Sequence, residues 1–304
     1  MWIAFALLSA LLLGFYDVSK KISLKDNAII PVLFLNTLFC SLLFVPFIAL
    51  SGNTIGSDAF LYVPQTSLHE QVFIMLKAVI VLSSWILGYK AIKHLPLTIV
   101  GPINATRPVM VLMGALLLYG ERLNLWQWAG VALSIVSFFM LSRSGRKEGI
   151  RFSHNKWIAF LIAAAVLGAC SGLYDRLILA PVSEGGLGLH RMTVQAYYNF
   201  YQCILMFVAM LTMWLPKRRS STPLKWHWAI PVISIFLSAA DLAYFYTLTK
   251  PDAMISVVSM IRRGSVVVSF CIGAIFLHEK NLRSKLPDVI LILLSMLMLY
   301  LGSK

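Results

Sequence analysis

Charge is what this chain has least of. Asp, Glu, Lys and Arg make up 12% of its 304 residues, about half the share common in soluble domains, which excludes a water-facing surface of ordinary composition. The four cysteines, Cys40, Cys170, Cys203 and Cys271, form no Cys-x-x-Cys pair and have no His at ligand spacing, which argues against a zinc or redox centre. Lying within apolar runs, they read as small buried hydrophobes. The six histidines fall mostly in loops and no His-Glu-x-x-His occurs, so a zinc hydrolase helix is absent. Neither a Gly-x-Ser-x-Gly elbow nor a Gly-x-x-x-x-Gly-Lys-Ser/Thr loop is present, which removes the usual serine hydrolase and ATP-driven machines. Gly185-Gly186-Leu187-Gly188 lacks the aspartate that an intramembrane aspartyl protease needs. An embedded enzyme is therefore disfavoured and no cofactor is expected.

Apolar length is what the chain has most of: 59% of residues are hydrophobic and the mean hydropathy is +0.82. A helix crosses the hydrocarbon with about 20 residues, and ten runs of suitable length follow one another. The first half holds Trp2 to Lys21, Ile29 to Leu50, Val72 to Lys93, Leu97 to Tyr119 and Leu125 to Leu141. The second holds Trp157 to Leu179, Met192 to Leu215, Trp228 to Thr249, Ala253 to Leu277 and Leu286 to Leu301. Unpaired backbone cannot face lipid, so these runs predict an all-α integral membrane protein with ten transmembrane helices. The first run lacks a basic leader and runs into Asp17 and Lys20-Lys21; it reads as a retained helix.

A basic Gly/Ser-containing stretch, residues 143–156, separates two units, 1–142 and 157–304. Tyr16-Asp17 returns as Tyr174-Asp175 and Glu121 as Glu279, both 158 residues later, whereas Gly114-Ala115 meets Gly273-Ala274 only after a one-residue slip. This is the mark of a duplication. Five helices per unit is an odd number, so the second unit enters from the opposite side and the repeat is inverted, an arrangement suited to alternating access.

The net charge of +14 sits mostly in clusters between the apolar runs, which predicts helix anchoring and no nucleic-acid partner. Connections after the odd-numbered helices carry seventeen Lys and Arg against five on the other side, placing the odd loops in the cytoplasm and both termini outside.

Gly120-Glu121-Arg122-Leu123 closing the fourth helix, His278-Glu279-Lys280 closing the ninth, and Val257 to Glu279 with Arg262-Arg263 ahead of a small-residue run resemble the EamA-type proteins of the drug/metabolite transporter superfamily. The resemblance extends over essentially the whole chain. It implies a ten-helix carrier of the plasma (inner) membrane, with a central cavity lined mainly by helices 1, 3, 4, 6, 8 and 9, moving small metabolites. Family members are commonly drawn with both termini cytoplasmic, opposite to the charge count.

Ionisable groups at mid-span cost at least roughly 2.5–3.5 kcal/mol on insertion scales, so those retained usually serve a cavity or a partner. Arg107, Asp241, Arg262 and Arg263 are such groups. Asp241 pairs structurally with an arginine or serves the site; adjacent Arg262 and Arg263 point about 100° apart on a helix and cannot easily share one partner. Arg107 and one of Arg262 or Arg263 are expected to fork onto a carboxylate or phosphate. Asn104 shares the face of Arg107, and Gly101, Pro102 and Pro108 around them predict either a helix break facing the cavity or a simple kink.

Asp17 and Asp175 read either as interfacial salt-bridge carboxylates or as proton-coupling groups, with Tyr16 and Tyr174 offering hydroxyls beside them or belonging to an aromatic belt. Lys77 reads as a snorkelling side chain near a helix end. The polar-aromatic set Gln195, Tyr197, Tyr198, Asn199, Tyr201 and Gln202 reads as cavity edge or interhelical packing.

The function expected is a secondary carrier for a small anionic or zwitterionic, amino-acid-like metabolite, proton-coupled or exchanging. The alternatives are an organic-cation or multidrug exporter of the same fold and, from other classes, an embedded enzyme, a channel or a scaffold. The partners are a small solute and the lipid bilayer, and the cavity suits a monomer as well as a homodimer.

Overall fold

The computed structural model describes the chain except residues 1, 52–53, 96–98, 101–102, 105, 121–123, 148–154, 220–221, 251–252, 266, 269–270, 273–281 and 303–304. Glu121, Glu279 and the closing motifs around them thus lie outside the described residues. The named α-helices are α1 (Trp2–Leu24), α2 (Ile29–Leu50), α3 (Leu68–His94), α4 (Arg107–Tyr119), α5 (Leu125–Lys147), α6 (Lys156–Leu179), α7 (Arg191–Ala209), α8 (Ala229–Leu248), α9 (Ile255–Arg263) and α10 (Leu282–Leu301). Among the described residues six spans are long and apolar enough to cross a membrane: α1, α2, α3, α6, α8, and α7 extended to Lys217. No named strand occurs among the described residues.

Local chemistry sets several boundaries. Ser67 accepts from the Glu70 backbone N–H while the Glu70 carboxylate accepts from the Ser67 N–H, a reciprocal cap that starts α3 ahead of the apolar run. The Asn155 side chain accepts from the Trp157 N–H and starts α6. Pro108 sits in the first turn of α4, where its missing N–H costs nothing, and Gly120 closes the helix in the left-handed region at φ 65°.

The polarity of the bundle is that of a lipid-embedded protein. Leu7, Leu11, Leu42 and Ile135 point outward, while Lys20, Asn36, Lys77, Asp175, Asn199 and Asp241 are buried. With hydrocarbon outside, association rests on close packing and interhelical hydrogen bonds worth about 0.6 kcal/mol each. Ser9 Oγ donates to the Ala240 carbonyl at 2.7 Å, Ser84 Oγ to Ala164 at 2.7 Å, and Ser234 Oγ to Asn36 Oδ1 at 2.9 Å. Cys40 is buried, but Cys170 and Cys271 are exposed on the apolar exterior. Expecting all four cysteines inside was wrong for these two, because in a bilayer a small apolar thiol sits as well against lipid as in the core.

The main packing pairs are α1 with α8, α3 with α6, α5 with α10, α2 with α7, α3 with α7, α2 with α8, α4 with α9, α4 with α6 and α1 with α9. Every one joins a helix before residue 148 to a helix after it.

Candidate functional site

One cavity lies where α1, α3, α4, α6, α8 and α9 converge, with Tyr198 of α7 also on its wall. The centre of a water molecule can occupy roughly 150 Å³ of it, about ten times what a single water needs. This is room for a small metabolite.

Arg107, Asn104, Arg262, Arg263, Asp241, Tyr16, Asp17 and Asp175 all line this cavity, whereas Tyr174 does not. The Tyr174 hydroxyl instead donates to the Phe73 carbonyl at 3.1 Å, tying α6 to α3.

Among the described residues three ion pairs cross or flank the void. Lys20 Nζ meets Asp17 Oδ1 at 2.6 Å within α1. Lys77 of α3 pairs with Asp175 of α6, and Arg262 of α9 pairs with Asp241 of α8. Each cation also faces an aromatic ring: Lys20 lies 4.3 Å from the Tyr16 centroid, Lys77 4.7 Å from those of Tyr198 and Phe245, and Arg262 4.0 Å from that of Tyr244. The Tyr16 and Tyr89 hydroxyls share a hydrogen bond of 3.2 Å across α1 and α3.

Lys77 does not snorkel to the interface. Because the Ser67–Glu70 cap begins α3 at Leu68, Lys77 stands roughly three turns inside the helix, too deep to reach water, and its ammonium turns inward to Asp175. Asp175 is likewise no interfacial carboxylate beside Arg176; Arg176 engages Glu184 and the Ala253 carbonyl instead. Two isolated opposite charges in apolar helices were the available signal for this pair.

Arg107 and Arg263 are different. Among the described residues neither makes an ion pair or a side-chain hydrogen bond, and their buried Nε atoms have no partner, nor does Asn104 Oδ1. Lys20, Lys77, Arg107, Arg262 and Arg263 thus stand against Asp17, Asp175 and Asp241 on the wall: five cations less three carboxylates leaves a surplus of two. Arg107 is the first residue of α4, with Thr106 as its N-cap, so its guanidinium adds to the positive end of the helix dipole. Of the expected fourth and ninth helices, the named segments begin at Arg107 and end at Arg263, so both spare guanidiniums stand at helix ends.

The void has a dry end and a wet end. The Asp175 side chain is 6% exposed against 29% for Asp17. Beyond Asp175 lies a packed apolar cluster that includes Ile178, Leu179, Leu189, Val194, Leu248 and Ile255. There residues 180–189 fold back on α6, with the Leu187 and Leu189 N–H groups donating to the Leu177 and Ile178 carbonyls. The polar set of α7 divides: Tyr198 reaches the cavity, while Gln195 donates to the Ser238 carbonyl and Tyr201 to Gln71.

Comparisons with known proteins agree with this architecture. Residues 1–143 match the model of the EamA-like transporter family. A protein of Archaeoglobus fulgidus described as an uncharacterized transporter is 26% identical over 300 residues, 98% of each chain. A crystal structure shares the fold with a TM-score of 0.71 over 99% of this chain and 98% of that one, at 13% identity. The similarity of residues 1–143 to the EamA-like transporter family is in line with the resemblance in sequence, and the chain is a multi-pass integral membrane protein.

Proposed function

We propose that this chain is a secondary carrier that moves a small anionic or zwitterionic metabolite by alternating access through the central cavity. The observation that carries the reading is the pair of guanidiniums, Arg107 and Arg263, that have no partner among the described residues and stand on the wall of one shared void. Both are half-buried; a guanidinium with no protein partner at membrane depth is costly unless something compensates it, and a transiting oxyanion does so through forked hydrogen bonds. An organic cation would meet a positive surplus, which counts against the exporter alternative.

The reading includes ten membrane helices in two inverted units, 1–142 and 157–304, joined by residues 143–156. Support comes from the packing pairs, which map onto one another when each helix is exchanged with its counterpart five places along: α1–α8 becomes α6–α3, and α4–α6 becomes α9–α1. Gly14 and Gly172, 158 residues apart, agree with it: a Cβ on Gly14 would lie 2.4 Å from Val268 Cβ, and one on Gly172 3.6 Å from Val111 Cγ2. The cavity's wetter end, at Asp17, faces the ends of α1 and α3 that the Lys/Arg bias assigns to the cytoplasm. In that orientation this conformation is open inward and closed outward. Asp17 and Asp175 are the candidate proton-coupling groups.

The test is uptake into proteoliposomes containing the purified protein. Saturable flux of an anionic or zwitterionic solute, abolished in both Arg107→Ala and Arg263→Ala, is expected. Flux at the wild-type rate in both variants would refute the site, and ohmic current in a planar bilayer would indicate a channel.

A further inference from the structure

We infer that the solute carries two negative charges and no ammonium group, a narrower class that rests on the carrier reading above. The charge balance comes first. A monoanion would leave one of Arg107 and Arg263 uncompensated in a cavity walled by membrane helices, whereas a dianion neutralises both. α4 and α9 pack on each other, so the two arginines reach one solute rather than two separate sites.

The second observation excludes a zwitterion. An amino-acid-like solute needs a carboxylate to neutralise its ammonium, and the three carboxylates on the wall are already committed. Asp17, Asp175 and Asp241 are each held by a protein cation, and breaking a buried pair strands a charge. Of the rings on the wall, those of Tyr16, Tyr89, Tyr198, Phe245 and Tyr244 already face Lys20, Lys77 and Arg262, and Trp85, which does not, offers an ammonium no charge to neutralise it.

The third observation concerns how Arg107 is presented. A cation is disfavoured at a helix N-terminus, yet Arg107 occupies the first position of α4. Its guanidinium lies against Gly168 of α6, where a Cβ would stand 2.6 Å from Nη1. Added to the positive end of the α4 dipole, it forms a positive corner suited to one end of the solute, while Arg263 receives the other. Both a dicarboxylate and a phosphate monoester have this chemistry.

The experiment is thermal unfolding of the full-length protein in detergent at pH 8, with succinate, glycerol 3-phosphate, acetate, alanine or lysine added at matched ionic strength. A rise in melting temperature with succinate or glycerol 3-phosphate and none with the other three is expected, and the more effective of the two tells carboxylate from phosphate. The rise should vanish in Arg107→Gln and in Arg263→Gln and survive in part in Arg263→Lys, which keeps the charge and controls for misfolding. Stabilisation by alanine or lysine, lost in the arginine variants, would overturn the dianion and leave the carrier site standing. No rise with any solute, or equal rises in the wild type and the glutamine variants, would overturn both.

Discussion

The Arg107 guanidinium rests on the bare backbone of Gly168, so close that a methyl group there would lie 2.6 Å from Nη1 and 2.7 Å from Cζ. The contact is made by the far end of a flexible side chain, which can move aside. Gly168→Ala should therefore fold, with a stability change within about 1 kcal/mol because alanine is the better helix residue, while solute binding falls. A double-mutant cycle checks this: in an Arg107→Ala background Gly168→Ala should have no further effect on binding. Equal losses in both backgrounds would mean that the glycine serves helix packing alone.

The Lys77–Asp175 pair makes a separate prediction. Both side chains are nearly inaccessible, and removing one partner from a buried pair costs about 3–5 kcal/mol. Asp175→Asn and Lys77→Met should each show this loss in denaturant unfolding, and the double variant Lys77→Met, Asp175→Leu should recover most of it. Single variants as stable as the wild type would show that the two charges do not meet.

On the face where α1 ends and α8 begins, Asn27 joins two distant segments. Its Oδ1 accepts from the Lys225 N–H at 2.9 Å and its Nδ2 donates to the Lys225 carbonyl at 2.7 Å, with the residue 1% exposed. Asn27→Ala strands the Ala28 and Lys225 amides and should destabilise by about 2 kcal/mol. A melting-temperature scan reads it; Asn27→Asp, which keeps the acceptor, should lose less.

If either Asp17 or Asp175 couples transport to protons, its asparagine variant will move solute without regard to an imposed proton gradient. Asp17→Asn tests this best, since its carboxylate is the wetter of the two and its partner Lys20 lies on the same helix. Uptake with and without a pH difference across the vesicle is the measurement; full gradient dependence in both variants excludes both residues.

The apolar runs make most of the helices legible, since the hydrocarbon demands a narrow range of lengths. Ile29 to Leu50 emerges with the same bounds, and α1 continues only as far as Leu24. Capping is what the runs hide: α3 starts at Leu68 because Ser67 and Glu70 hydrogen-bond there, and that shift turned Lys77 from an apparent interfacial residue into a buried one. Rarity of charge picks out Arg107, Asp241, Arg262 and Arg263. Which of them pair is not a local property, because it depends on how α8 and α9 are rotated, and only the packed bundle shows Asp241 occupied by Arg262 with Arg107 and Arg263 left over.

The packing pairs bear on how the protein is made. α1 rests on α8, α2 on α7, α3 on α6 and α5 on α10, so when a ribosome has finished the first five helices their chief neighbours do not yet exist. Inserted alone, those five would have only weak mutual contacts and a half-built row of charges open to lipid. Assembly must wait for the later helices to thread between the earlier ones, and a truncation in the second half strands the first-half partner of every helix it removes.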